Sequence, residues 1–324
     1  MSAKPAPGAM TIVEVSPRDG LQNDPGELTT GQKIELAARA YRAGLRRIEV
    51  TSFVSPRAVP KLSDAEAVVA GLKQQDLAGL SMIGLVVNER GVQRAAAAGV
   101  DELNVVIVTS EPFSQRNQGM SVQRSLDQLP DLLAAGRAAG LHSTVTIGTA
   151  FGCPFAGEID PALVTDMAAQ VAAAGPDEIA LADTIGVAGP TEVTERFTAI
   201  RAVVPAATGL RAHFHDTRRT GMANAAAAAA AGVTALDASL GGIGGCPFAP
   251  RATGNIATED LVYLLGRMRL ATGVSLDRLI TGAEWLGESL DHDVPGMLSK
   301  AGAFPPAPAP SSVQAPEPAA PAAG

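Results

Sequence analysis

MTIVEVSPRDGLQND, residues 10–24, is where the α/β architecture of this chain is decided. Its first six residues, MTIVEV (10–15), are apolar and β-branched and read as a strand. An open, doubly wound sheet often follows its first strand with a GxGxxG turn that cradles a dinucleotide. Here the strand runs into PRDGLQ instead. Downstream, RRIEVTSF (46–53), LSMIGLVV (80–87), DELNVVIV (101–108), HSTVTIGTA (142–150), DEIALAD (177–183), GLRAHFH (209–215) and VTALDASL (233–240) read as seven further strands. Helical patterns separate them, from TTGQKIELAARAYRAG (29–44), stopped by Gly44, through to NIATEDLVYLLGRM (255–268). Strands alternating with helices imply parallel βαβ units. Eight such units in about 250 residues predict an α/β fold of the (β/α)8 TIM-barrel type.

The barrel is expected to occupy residues 10–300, after a flexible N-terminus at 1–9. Residues 274–299 read as one extra C-terminal helix, packed outside the barrel or over one end. AFPPAPAPSSVQAPEPAAPAAG (303–324) is rich in Pro and Ala and has almost no large apolar residues. Such a segment buries too little surface to offset its ordering entropy, so 301–324 is expected to be a disordered tail.

Hydrophobic residues make up 46% of the chain and aromatics only 3%, so the core must be built from Ala, Val, Leu and Ile. The net charge of −8 argues against a broad nucleic-acid surface, which needs clustered positive charge. Two cysteines, Cys153 and Cys246, do not make a disulfide framework and suit a reducing compartment. The opening MSAKPAPGAM has no signal-peptide core, and no apolar run approaches the ~18 residues of a membrane span. A cytoplasmic protein with no membrane or nucleic-acid partner is expected.

HFHDT (213–217) closes the seventh strand. Side chains on a strand alternate, so His213 and His215 point the same way, at the end of the barrel where active sites collect. Two imidazoles there can grip a divalent metal, or can simply be hydrogen-bonded polar groups. Arg18 and Asp19, just past the first strand, reach the same rim; Asp19 would add a hard oxygen ligand suited to Mg²⁺ or Mn²⁺. Asn255 reads either as a helix N-cap or as an amide-oxygen ligand. Four glycines within 241–245 predict a mobile loop carrying Cys246 over the mouth, an unusual place for a structural thiol.

The chain resembles the HMG-CoA lyase family through VEVSPRDGLQND (13–24), IEVTSFVSPRAVP (48–60), SEPFSQRNQGMS (110–121), GCPFAGEI (152–159), DTIGVAGP (183–190), HFHDT (213–217) and GGIGGCPFAPRATGNIATEDLVYLL (241–265). These stretches span nearly the whole barrel. The resemblance implies a divalent metal, Mg²⁺ or Mn²⁺, held by Asp19, His213, His215 and Asn255. It implies a catalytic Arg18 that contacts an acyl-CoA substrate, a catalytic Cys246, family carboxylates Glu49 and Asp183 at the ends of strands two and six, and a homodimer. The reaction implied is retro-Claisen cleavage of 3-hydroxy-3-methylglutaryl-CoA to acetyl-CoA and acetoacetate. Citramalyl-CoA cleavage, acyl-transferring condensation on the same barrel and non-catalytic metabolite binding are the alternatives. The chain departs from the family in two places. Arg218, Arg219 and Thr220 stand where Tyr-Gly-Gln is usual, placing two cations at a helix start, and Pro25 replaces a lysine.

Overall fold

The computed structural model describes residues 8–245 and 254–305. Eight parallel strands close into a barrel: β1 (Thr11–Glu14), β2 (Arg47–Ser52), β3 (Ser81–Val86), β4 (Glu102–Val108), β5 (His142–Gly148), β6 (Glu178–Asp183), β7 (Gly209–Phe214) and β8 (Ala235–Ala238). β1 pairs with both β2 and β8, which completes the ring. Each expected strand is present, most of them trimmed by a residue or two where the chain turns toward its helix.

The helices between and after them keep to the predicted pattern: α1 (Thr30–Ala43), α2 (Ala65–Lys73), α3 (Glu89–Ala98), α4 (Val122–Ala138), α5 (Pro161–Ala174), α6 (Pro190–Val203), α7 (Gly221–Ala230), α8 (Thr258–Arg267) and α9 (Leu276–Leu290). Their limits have local causes. Thr29 and Gln32 form a reciprocal capping box at the start of α1, and Gly44, at φ 114°, ends it in a conformation that L side chains avoid. Asn88 and Ser121 cap α3 and α4 in the same way, each accepting a backbone N–H from three residues on.

Three expectations need correction. The single helix over 274–299 is two: Asp291 turns left-handed at φ 57° after α9, and Pro295 and Gly296 block helix until a short turn at Leu298–Ala301. Residues 8 and 9 are not loose, since Ala9 bridges Ala271 and the Gly8 carbonyl accepts the Ala271 N–H. A helix at Glu111–Gln118 escaped notice because only Phe113 and Ser114 are buried, which leaves no apolar stripe to read. Residues 1–7 and 306–324, where the flexible start and the tail were expected, lie outside the described residues.

The strands carry two different faces. Ile48, Val50, Leu103, Val105, Val145, Ile147, Ile179, Leu181, Leu210 and Ala212 are buried in the apolar core. The residues alternating with them form a polar barrel interior. Arg47 of β2 reaches across to Glu102 of β4 (2.5 Å) and Glu178 of β6 (2.8 Å), strands that are not its neighbours. Thr144 donates to both of those carboxylates, and Arg211, fully buried, pairs with Asp237. A second layer above this one links Glu49, Asn104 and Thr146. Most barrels of this type fill the space with branched aliphatics. Charge inside is tolerable here because its members are paired; removing one partner from such a pair costs roughly 3–5 kcal/mol.

Candidate active site

The first part of the rim is the turn that leaves β1. Residues Ser16–Gly20 form a single wide turn of π-helix, with the N–H groups of Arg18, Asp19 and Gly20 all directed at the Val15 carbonyl. Such turns are rare and concentrate at functional sites. This one lifts Arg18 and Asp19 over the barrel mouth. Pro17 tolerates the turn because it has no N–H to satisfy.

Arg18 is clamped from two sides. Its Nε and Nη2 bond Glu49 at 2.8 and 2.6 Å, and its Nη1 bonds Asp19 at 2.6 Å. Burial opposes a charge there, but Glu49 and Asp19 outweigh it and hold the guanidinium above its ordinary pKa. Asp19 is half-buried, and its desolvation alone would raise its pKa. The charges of Arg18, His213 and His215 and the Asn255 hydrogen bond reverse that and hold the carboxyl well below the usual carboxylate range.

Period two along β7 carries the polar interior up to the rim through Arg211, His213 and His215. Nε2 of His213 and Nε2 of His215 stand 3.9 and 3.8 Å from the same Asp19 Oδ2. Those gaps are too long for hydrogen bonds. Among the described residues, Asp19, His213 and His215 form a group whose ligand atoms lie within 4.8 Å of one another, the spacing of donors that could share one cation. Burial, then the neighbouring His213, push the His215 pKa down to about 4. His213 is raised: Asp237 and Asp19 overcome its burial.

Asn255 is not an N-cap, since α8 begins three residues later. It bridges His215 in backbone pairing and donates Nδ2 to Asp19 Oδ2 (2.8 Å) and to the Ile243 carbonyl (3.1 Å). Its Oδ1 is buried with no hydrogen-bond partner among the described residues, as is Nδ1 of His215. A buried acceptor left over beside a carboxylate and two imidazoles fits a divalent cation. The four residues expected to hold one therefore meet at one place.

Glu49 and Asp183 do not behave alike. Glu49 lies in the middle of β2, not at its end, and is fully buried against Arg18 and Asn104. Asp183 ends β6, and its carboxylate accepts the N–H groups of Val187 and Ala188 rather than a side-chain cation. Burial raises its pKa. Arg218 and Arg219 precede α7 instead of opening it. Nη1 of Arg218 donates to the Ile185 and Gly186 carbonyls, while Arg219 is mostly exposed in a left-handed turn. Beside Pro25 a cation arrives from another loop, where Lys61 donates to the carbonyls of Asp24 and Gly26.

Cys246 lies outside the described residues. The loop predicted from the glycines at 241–245 runs on into residues outside those described, but its first glycines are packed. Gly241, Gly242 and Gly244 have φ of 70°, 72° and 126°, and a Cβ on Gly244 would sit 2.6 Å from the Asn255 amide. They are glycines because the chain turns left-handed against the site. The Gly245 carbonyl accepts from Asn23, so the loop starts over the β1 turn. Cys153, given no role, is buried with its Sγ 2.9 Å from Ser110 Oγ.

Sequence reading missed the buried acids that brace this loop. Glu14 accepts the N–H groups of Ser16 and Leu240 and the Thr258 hydroxyl. Glu259 accepts the Gly241 N–H, and burial, with Asp260 and Glu14 nearby, pushes its pKa up to about 8. Between about pH 4.5 and 8 the folded chain thus keeps a proton that the unfolded chain has lost, and stability falls as pH rises through that window. Glu259→Gln should remove this contribution, flattening stability against pH by up to about 1.4 kcal/mol per pH unit, as read from urea midpoints between pH 5 and 8. An unchanged slope would place the retained proton elsewhere.

Comparison with known proteins agrees with this geometry. The profile of the HMGL-like family matches residues 9–285. The (R)-citramalyl-CoA lyase of Chloroflexus aurantiacus is 42% identical over 91% of this chain and 95% of its own length. The hydroxymethylglutaryl-CoA lyase of Bacillus subtilis is 38% identical over 90% of this chain and 96% of its own. The structure of an HMG-CoA lyase from Acinetobacter baumannii with coenzyme A and 3-methylmalate superposes with a TM-score of 0.88 at 37% identity, covering 96% of this chain and all of that one. No helix among the described residues is long and apolar enough to cross a membrane. The chain belongs to the HMGL-like family and is a carbon–carbon lyase of the group that contains the HMG-CoA and citramalyl-CoA lyases.

Proposed function

We propose that this lyase cleaves 3-hydroxy-3-methylglutaryl-CoA to acetyl-CoA and acetoacetate, with Mg²⁺ or Mn²⁺ held by Asp19, His213, His215 and Asn255. The observation that carries the reading is the meeting of a carboxylate, two imidazoles and an amide oxygen unpaired among the described residues, beside a doubly clamped arginine. When bound, the cation would polarise the substrate's hydroxyl and carboxylate oxygens. The chain's residues do the rest. The hydroxyl proton leaves to a basic group of the rim; His213, whose Nε2 would be engaged by the cation, cannot take it, which leaves Asp19. The C2–C3 bond then breaks, its electron pair passing into the thioester as an enolate while the keto acid departs. Arg18, prevented from rotating by Glu49 and Asp19, points its remaining N–H groups at the thioester oxygen where that charge collects. Cys246 is assigned, on the family resemblance, to return a proton to the enolate carbon.

A second substrate is favoured by the 42% identical relative, a citramalyl-CoA lyase. Citramalyl-CoA carries its carboxylate directly on the hydroxyl-bearing carbon, so the same bond cleavage gives acetyl-CoA and pyruvate. A panel of both thioesters, assayed by acetyl-CoA release with and without chelator, decides between them. Turnover of HMG-CoA that stops on chelation is expected. Turnover of citramalyl-CoA alone would keep the mechanism and change the substrate, and turnover of neither would remove the reading.

A further inference from the structure

Asp237 stands apart from the family motifs, a single acid in the short β8 sequence ALDA. It is buried, and β8 pairs with β7 so that Ala235 and Leu236 face Arg211 and Ala212. Extending that register by one residue brings Asp237 to His213. Its Oδ2 lies 3.0 Å from His213 Nδ1, and its Oδ1 accepts from Arg211 Nε. Arg211 is fully buried and reaches toward Glu178 at 3.8 Å, so it cannot swing away.

We propose that Asp237 is a positioning residue for the metal centre: its carboxylate fixes the ring orientation and tautomer of His213 so that the Nε2 lone pair faces Asp19 and the cation. A carboxylate has no proton to give, so the atom it meets on the imidazole must be N–H. Nδ1 therefore carries the hydrogen, and once the ring is neutral, as a metal ligand must be, Nε2 is the bare nitrogen, on the side where Asp19 lies 3.9 Å away. His215, by contrast, has a buried Nδ1 with no partner among the described residues, so the two histidines are held unequally. Carboxylates behind metal-binding histidines act in this way generally, and losing one typically weakens metal binding 10–100-fold.

The inference rests on the metal reading above, and its test separates the two. Asp237→Asn keeps the shape but offers a single oxygen, which cannot serve both Arg211 and His213. Mn²⁺ affinity, read by electron paramagnetic resonance of the free ion, should weaken about 10–100-fold. In a His213→Ala background the same substitution should change affinity less than about twofold, because the residue it orients is already gone. Long-range ¹H–¹⁵N spectra of the Mg²⁺-loaded wild type should show His213 protonated at Nδ1, and the variant should lose that signature. A purely structural role would lower affinity equally in both backgrounds, and that result would overturn the proposal, as would wild-type affinity in the single variant. Failure of wild type to bind Mn²⁺ at all would sink the metal reading itself.

Discussion

Replacing Asp19 with Asn should lower divalent-metal affinity by more than the ~100-fold upper end seen when only an outer partner is lost, and cleavage should disappear with it. Asp19 is the anion of the group. Its Oδ2 faces both imidazoles and takes the Asn255 amide, and its Oδ1 takes Arg18. An asparagine brings one oxygen and one NH₂, and every neighbour in the pocket except a cation is a donor or a ring nitrogen. The NH₂ must therefore point at Arg18, donor against donor, or at the centre of the site, where it offers a cation neither a lone pair nor a charge. The fold should survive, because Arg18 retains Glu49 and the turn itself is held by Val15. Titration with Mn²⁺, beside acetyl-CoA release at saturating metal, measures both effects. Unimpaired metal binding would show that the cation sits elsewhere.

Arg18→Met should lower kcat by about 10²–10³-fold, the loss typical when a donor aimed at a developing oxyanion is removed. Metal affinity should fall much less, since no ligand is replaced and Asp19 loses only its Arg18 partner. The same change leaves Glu49 fully buried, with Asn104 still donating to it and the guanidinium gone. Breaking a buried pair in this way costs on the order of 3–5 kcal/mol, so the melting temperature should drop as well. Adding Glu49→Gln to Arg18→Met removes the stranded charge and should recover much of the stability but none of the turnover. Rescue of kcat by the double variant would mean that Arg18 serves the fold alone. Stability and catalysis here share one guanidinium, and the double variant separates them.

Much of the site was legible in one dimension because its parts are local. The same-side placement of His213 and His215 follows from the strand period, and Arg18–Asp19 follow from the end of an apolar run. Gly44 and Thr29 mark the limits of α1 by capping chemistry that acts within four residues. What stayed open was of the opposite kind. Whether Asn255 capped a helix or joined the metal group, and how the glycines before Cys246 pack, depend on partners far along the chain. Asn255 answers to Asp19, 236 positions earlier, and Gly244 is small because the Asn255 amide passes beside it.

The sequence alone therefore determined the barrel, its eight strands and the residue types at its rim, since strand and helix periods are written in the order of apolar and polar side chains. Tertiary structure alone decided what the polar interior does. Arg18 meets Glu49 across 31 positions, Arg47 meets Glu178 across 131, and Glu14 meets the Leu240 N–H across 226. Those pairings depend on how the eight strands stagger when the sheet closes on itself. Stagger is a property of the ring as a whole, and no single strand carries it.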